Sequence, residues 1–237
     1  MWETTVGGRQ LHFHLAGINN QNFIMRDEET GSWWQQVSGE AIQGPLKGQR
    51  LRPVFHDELT FGLWKGEKPR GRVLRPNEEL ARAGKYAPAN WEERMDKVPV
   101  TTSFMIDKSL QPRTLVVGLT VNGAAKAYPF AAIAKQKLIL DDVGSVPIFV
   151  VLGEDQKSVR AYERTVEGRK LEFFVKPNVA PLTLVDAETG SEWDFTGKAI
   201  AGSLSGKQLQ KIAVLNDYWF DWQTYNPKTT VYALGSR

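Results

Sequence analysis

The feature that most constrains this chain is that it repeats itself. An acidic turn, Asp27-Glu28-Glu29-Thr30-Gly31-Ser32-Trp33-Trp34, returns as Asp186-Ala187-Glu188-Thr189-Gly190-Ser191-Glu192-Trp193. Upstream of it, Glu3, Thr5, Val6, Gly8, Arg9, Leu11 and Phe13 meet Glu163, Thr165, Val166, Gly168, Arg169, Leu171 and Phe173. Downstream, Gly39, Ala41, Ile42, Gly44, Leu46, Gly48 and Leu51 meet Gly197, Ala199, Ile200, Gly202, Leu204, Gly206 and Leu209, and Trp64 meets Trp222. Ordered self-similarity at a nearly fixed offset is the mark of a module used twice. The expected layout is a first module over residues 1–76, a helical connector over 77–98, and a second module over 99–237 with extra leading strands.

Each copy reads as short strands separated by turns, so the fold class is mainly β, a β-rich α+β arrangement. Val6-Gly7-Gly8-Arg9 and Val166-Glu167-Gly168-Arg169 carry the turn residues of two-residue hairpins. Leu11, Phe13 and Leu15, like Leu171, Phe173 and Val175, alternate and are expected to face a core. Asp57-Glu58-Leu59 and Asn216-Asp217-Tyr218 read as helix starts, with Phe61/Trp64 and Trp219/Trp222 three apart and plugging each sheet. Leu115 to Val121, Asn122-Gly123 and Ala124 to Tyr128 form the strongest hairpin signal. A helix is expected near 130–136, and apolar strands at 137–141 and 146–152.

Composition narrows function mainly by exclusion. There is no cysteine, which removes disulfides, thiolate nucleophiles and cysteine-ligated metals. Lys+Arg 30 against Asp+Glu 27 gives a net charge of +3, but the basic residues are scattered, so no nucleic-acid footprint is expected. No apolar run is long enough for a helical membrane span. Nucleophile-elbow, P-loop, dinucleotide-fingerprint and His-Glu-x-x-His patterns are missing, so the reading leans away from an enzyme.

Val-Asn-Gly-Ala-Ala-Lys-Ala-Tyr-Pro at 121–129, Asp-Asp-Val-Gly-Ser-Val-Pro at 141–147, and the repeated Asp-x-x-Thr-Gly-Ser-x-Trp and Gly-x-Ala-Ile-x-Gly-x-Leu segments resemble the domain of unknown function 3179 family. The resemblance covers nearly the whole chain. It implies a duplicated, mainly β protein outside the cytoplasm, periplasmic or secreted, with no assigned activity. Members typically carry a Cys-Pro-Leu-Cys-Gly-like strand before the first turn. Its second-copy counterpart here, Val150-Val151-Leu152-Gly153-Glu154, has no cysteine, and the chain is expected to be a shortened form lacking the first copy's leading half.

Duplication also separates fold from function, because positions kept in both copies serve structure first. Asp27/Asp186, Ser32/Ser191 and Trp34/Trp193 belong to that group. Features found once cluster in the first copy. His12 and His14, two apart on a strand, with His56 beside Asp57, offer a zinc or iron shell as a candidate metal site. Asn20, Asn22, Trp33, Gln35 and Gln36 offer amides beside indoles, a surface suited to neutral hydroxylated ligands such as carbohydrates. No cofactor is expected beyond a possible metal ion. Adjacent Glu28/Glu29 and Asp141/Asp142 read as solvated turns. The favoured function is a non-enzymatic, extracytoplasmic binding or assembly protein; the alternatives are a metal-binding protein or metal-dependent enzyme and a carbohydrate-binding module. Self-association or a partner strand is expected at the first module's edge, where the leading strands of the second have no counterpart.

Overall fold

A computed structural model describes residues 1–19, 22–100 and 108–233. It is mainly β. Strands β1 (Thr5–Val6) and β2 (Arg9–Gln10) flank Gly7 and Gly8, whose φ angles of 56° and 79° supply the left-handed turn of a two-residue hairpin. Strands β3 (Phe13–Asn19), β4 (Asn22–Asp27), β5 (Trp33–Gln35) and β6 (Ala41–Gln43) then form an antiparallel meander. Helices α1 (Phe61–Glu67), α2 (Glu78–Arg82) and α3 (Trp91–Asp96) follow. The hairpin of β7 (Leu115–Val121) and β8 (Ala124–Pro129) turns at Asn122 and Gly123, both at positive φ. After it come α4 (Phe130–Gln136), β9 (Leu138–Val143), β10 (Val146–Leu152) and β11 (Val159–Glu163).

A second short hairpin, β12 (Thr165–Val166) with β13 (Arg169–Lys170), leads into a second meander: β14 (Phe173–Val175), β15 (Thr183–Asp186), β16 (Glu192–Asp194) and β17 (Ala199–Ala201). The last elements are β18 (Lys211–Ile212), β19 (Val214–Tyr218), α5 (Trp219–Tyr225) and β20 (Thr230–Val231). Two further sheets hold the remaining strands. A central sheet has the order β18-β11-β10-β9, and an outer sheet the order β19-β7-β8-β20, with β20 parallel to β8.

The layering follows from β10. Its sequence Val-Pro-Ile-Phe-Val-Val-Leu shows no alternation because both its faces are covered. Ile148, Val150 and Leu152 pack with Val117, Leu119 and Tyr128 of the outer sheet and Ile133 of α4. Phe149 and Val151 pack with Phe173, Leu184 and Trp193 of the second meander. On the far side of the outer sheet, Trp219 and Trp222 of α5 lie against Val116 and Ala127. Gly118 makes this possible, since a Cβ there would run into the Trp222 ring.

The two meanders make matching contacts. Asp27 accepts from Trp34 Nε1 at 2.8 Å, and Asp186 from Trp193 Nε1 at 2.9 Å. Ser32 Oγ and Ser191 Oγ each accept a backbone N–H at 3.1 Å, from Leu46 and Leu204. The Trp2–Pro53 bridge stands where Tyr162 pairs with Lys211. Both indoles, Trp34 and Trp193, are fully buried.

The helices and two side chains depart from expectation. Leu15 and Val175 are exposed, because the alternating face runs past the edge of each small core and a bulge between Leu15 and Gly17 shifts the register. Asn216 and Asp217 lie in β19, not in a helix; α5 begins at Trp219 and α1 at Phe61, capped by Thr60. Nor does α1 plug the first meander. Phe61 is exposed and Trp64 half-buried. Leu59 and Leu63 pack against the second meander's core instead. Arg160, almost fully buried, grips Asp57 at 2.9 Å and Glu67 at 2.7 Å, while Thr60 Oγ1 donates to Asp155 at 2.6 Å. Asp141 is also not a solvated turn residue: it accepts from Tyr128 at 2.7 Å and pairs with Lys126 at 2.6 Å.

Candidate functional site

Of the amides singled out by sequence, Asn22 and Gln35 come to rest against α5. Alternation along β4 sends Asn22, Ile24 and Arg26 to one face and Phe23, Met25 and Asp27 to the other. Met25 and Asp27 face the first meander's own core, beside Trp34. The opposite face meets α5: Asn22 Nδ2 donates to Asp221 Oδ2 at 3.3 Å, and Gln35, across from Ile24, hydrogen-bonds Tyr225.

Beside this contact lies a cleft of about 260 Å³. Trp2, Asn22 and Gln36 line it from the first meander's side, His56 and Glu58 from the segment before α1, and Asn216, Asp217 and Asp221 from β19 and α5. Trp2 is fixed by its Nε1, which donates to the Gln36 carbonyl at 2.7 Å. His56 Nδ1 donates to the Val54 carbonyl at 3.1 Å. Glu58 Oε2 accepts from Asn216 Nδ2 at 2.6 Å.

Three carboxyl groups therefore converge with no lysine or arginine in the lining. Burial, the neighbouring Asp221 and Glu58 push the Asp217 carboxyl up to about 8, against the pull of a backbone N–H from Tyr218. Burial also raises Asp221, outweighing the hydrogen bond from Asn22. Its place in the first turn of α5 favours the anion, but the effect of so short a helix is smaller than the cost of burial. Tyr225 is pushed up to about 12 by burial and by the same two aspartates. Among the described residues, Asp221 Oδ1 and Asn22 Oδ1 are both buried without a hydrogen-bond partner.

The proposed metal residues do not assemble. Among the described residues no three His, Asp or Glu side chains form a group able to hold a metal ion. His12 is exposed, and its ring is held by Glu29 at 2.6 Å, a partner that raises the imidazole's pKa. His14 is exposed opposite Arg26, and His56 faces the cleft. The physical reason is topological: β3 runs along the edge of the first meander, whereas the His56 segment leaves that meander to join α1 on the second. Glu29 also accepts the backbone N–H of His12 at 2.9 Å, as Glu188 does that of Glu172, so this contact is a property of the turn and needs no histidine.

The carbohydrate surface is likewise split. Trp34 is fully buried and offers no indole face. Trp33 is half-buried opposite Gln43, away from the cleft lining. Asn20 lies outside the described residues. Asn22 and Gln36 line the cleft, whereas Gln35 lies outside its lining and hydrogen-bonds Tyr225. Asp217, Asp221, Glu58 and Trp2 were not foreseen. The legible signal was Asp221 standing inside Tyr218-Trp219-Phe220-Asp221-Trp222, a lone charge in an aromatic run.

No curated protein matches this chain, and no solved structure matches it. A family model, described as "Protein of unknown function (DUF3179)", matches residues 1–229, and the chain belongs to that family.

Proposed function

We propose that the protein is a non-enzymatic, extracytoplasmic binding protein, built by internal duplication, whose ligand seat is the cleft between the first meander and α5. The convergence of Asn22 and Gln36 with Asp217, Asp221 and Glu58 on that one cleft carries the reading. Residues found in only one copy meet there, whereas the repeated Asp, Ser and Trp positions are spent on internal bonds. A concave seat with a few convergent polar groups is the ordinary form of a small-molecule site. The extracytoplasmic placement rests on the family resemblance. To test the reading, protein labelled with ¹⁵N is titrated with a panel of neutral monosaccharides, amino acids and short diamines. A specific ligand should shift the signals of Asn22, Gln36 and Asn216, and the Asn22→Ala/Gln36→Ala variant should weaken it about tenfold or more. Shifts confined to other surfaces, or none with any of the panel, would refute it.

A second reading, assembly through the first meander, is favoured by β3. Among the described residues β3 pairs only with β4, and it is seven residues long where β14 has three. Leu15 and Ile18 are 62% and 67% exposed, and Phe23 stands across from Ile18. A long edge strand with apolar side chains in water is a template for a second copy of itself. Light scattering across a concentration series should show dimer, and Ile18→Lys should return it to monomer. A wild-type protein that stays monomeric at millimolar concentration excludes this reading.

A further inference from the structure

The contact between Asn22 and Asp221 is incomplete in one specific way. One hydrogen bond joins them, from Asn22 Nδ2 to Asp221 Oδ2. The two atoms left over, Asn22 Oδ1 and Asp221 Oδ1, are both acceptors, both buried, and both without a donor among the described residues. A buried acceptor without a donor is costly, and here two occur on one pair. A proton on Asp221 would supply the missing donor. A carboxylic acid facing a primary amide can donate through its O–H to the amide oxygen while its carbonyl accepts from the amide N–H, so both leftover atoms are satisfied at once.

We propose that Asp221 is held as a neutral carboxylic acid in a cyclic acid–amide pair with Asn22, and that this pair is a proton-operated latch fastening the first meander to α5 beside the cleft. The groups facing Asp221 agree. Asp217 on β19 and Glu58 before α1 are further carboxylates, Tyr225 on α5 is bound by Gln35 of β5, and His56 and the amino group of Met1 are the lining groups able to carry a positive charge. Among the described residues, Asp221 Oδ1 receives no hydrogen bond. Burial raises Asp221, and burial together with the neighbouring Asp221 raises Asp217, so the lining favours protonated carboxyls. Loss of the proton removes the O–H donor and leaves an anionic oxygen facing the amide oxygen, so one of the two bonds of the pair is replaced by repulsion while Asn22 Nδ2 still donates to Oδ2. The inference rests on the cleft reading only for its consequence, that the proton controls the wall of the ligand seat; the latch exists or fails without any ligand.

The test uses the full chain with no ligand. Carbon-detected NMR of ¹³C-labelled aspartate should show the Asp221 carboxyl titrating above the ordinary carboxylate midpoint of about 3.9. Urea midpoints from pH 5 to 8.5 should fall as pH rises. In Asp221→Asn, which keeps the shape and the donor of the neutral acid, that fall should be shallower, because the Asp221 titration is gone and Asp217 loses a charged neighbour. A carboxyl that titrates near pH 4, or an Asp221→Asn protein with the wild-type pH slope, overturns the latch. Should Asp221→Asn fail to fold, the wild-type carboxyl titration decides alone. A latch confirmed in a protein whose cleft binds nothing would leave this inference standing and the binding reading refuted, and the reverse result would separate them equally well.

Discussion

At the scale of single residues, carboxyl groups serve opposite ends in this protein. Asp27 would be raised by burial, but hydrogen bonds from Trp34, Thr30 and Ser32 outweigh that and hold it below the usual carboxylate range. Its contribution to stability is present above the unfolded pKa and is lost as pH falls through the folded one. Replacing Asp27 by Ala strands several donors at once, among them the buried Trp34 N–H. About 2–4 kcal/mol should be lost in urea unfolding at pH 7. Asp217 behaves inversely. With its folded pKa raised to about 8, it holds a proton that the unfolded chain releases, so its contribution is full below about pH 4 and gone above about pH 8. Asp217→Asn should therefore flatten the decline in stability across that window, and an unchanged slope would show that Asp217 is ionised throughout. His12 and His14 should matter little: both are exposed, and replacing both by Gln should leave the urea midpoint where it was.

Between residues and the whole stand the elements, of which α1 is the most informative. Its sequence partner is α5, and the two end alike, Lys68 and Asn226 each returning a backbone N–H to the carbonyl of the preceding Trp64 or Trp222. Yet α5 lies on the outer sheet while α1 is clasped by the second meander's surroundings through Arg160. Among the described residues, removing Arg160 leaves Asp57 with only Lys211 and leaves Glu67 unpaired. Because both carboxylates keep about a fifth of their surface in water, Arg160→Ala should cost about 3 kcal/mol, the low end for breaking a buried pair. Amide exchange should rise first over 60–67, and protection unchanged there would mean that Leu59 and Leu63 hold α1 by packing alone. The same helix shows what was legible beforehand. Hairpins were, because Asn122-Gly123 and Gly7-Gly8 encode their turns locally; so were β10, an unbroken apolar run, and the buried Trp193, which opens the strand after the Thr-Gly turn. The docking of α1 was not, since Asp57, Glu67 and Arg160 lie far apart in sequence and each reads as an ordinary surface charge. Asn22 and Gln36 were legible as unusual, but the carboxylates they meet come from α5 and β19, and no local pattern joins them.

For the molecule as a whole, the two meanders are alike in strand order but unequal in what covers them. The second lies against β10, which brings Phe149 and Val151 into a core with Tyr162, Phe173, Leu184 and Trp193. The first closes over Leu11, Trp34, Ala41 and Leu51, with Trp2, Phe13 and Met25 only partly covered. Stability should therefore be graded, because local opening free energy follows the apolar surface each element buries. Native-state amide exchange in increasing urea should show β10 and β11 exchanging only through global unfolding. Amides of β3 to β5 should exchange through a smaller opening, with lower free energy and shallower urea dependence. Trp34→Ala should deepen that difference by about 3–5 kcal/mol and leave the exchange of β10 nearly untouched, whereas Trp193→Ala should lower both together, since its ring belongs to the core that β10 completes. If instead all strands exchange with one free energy and Trp34→Ala lowers β10 equally, the Arg160 clasp and the Asn22–Asp221 contact bind the first meander into the global unfolding unit, and the gradation is absent.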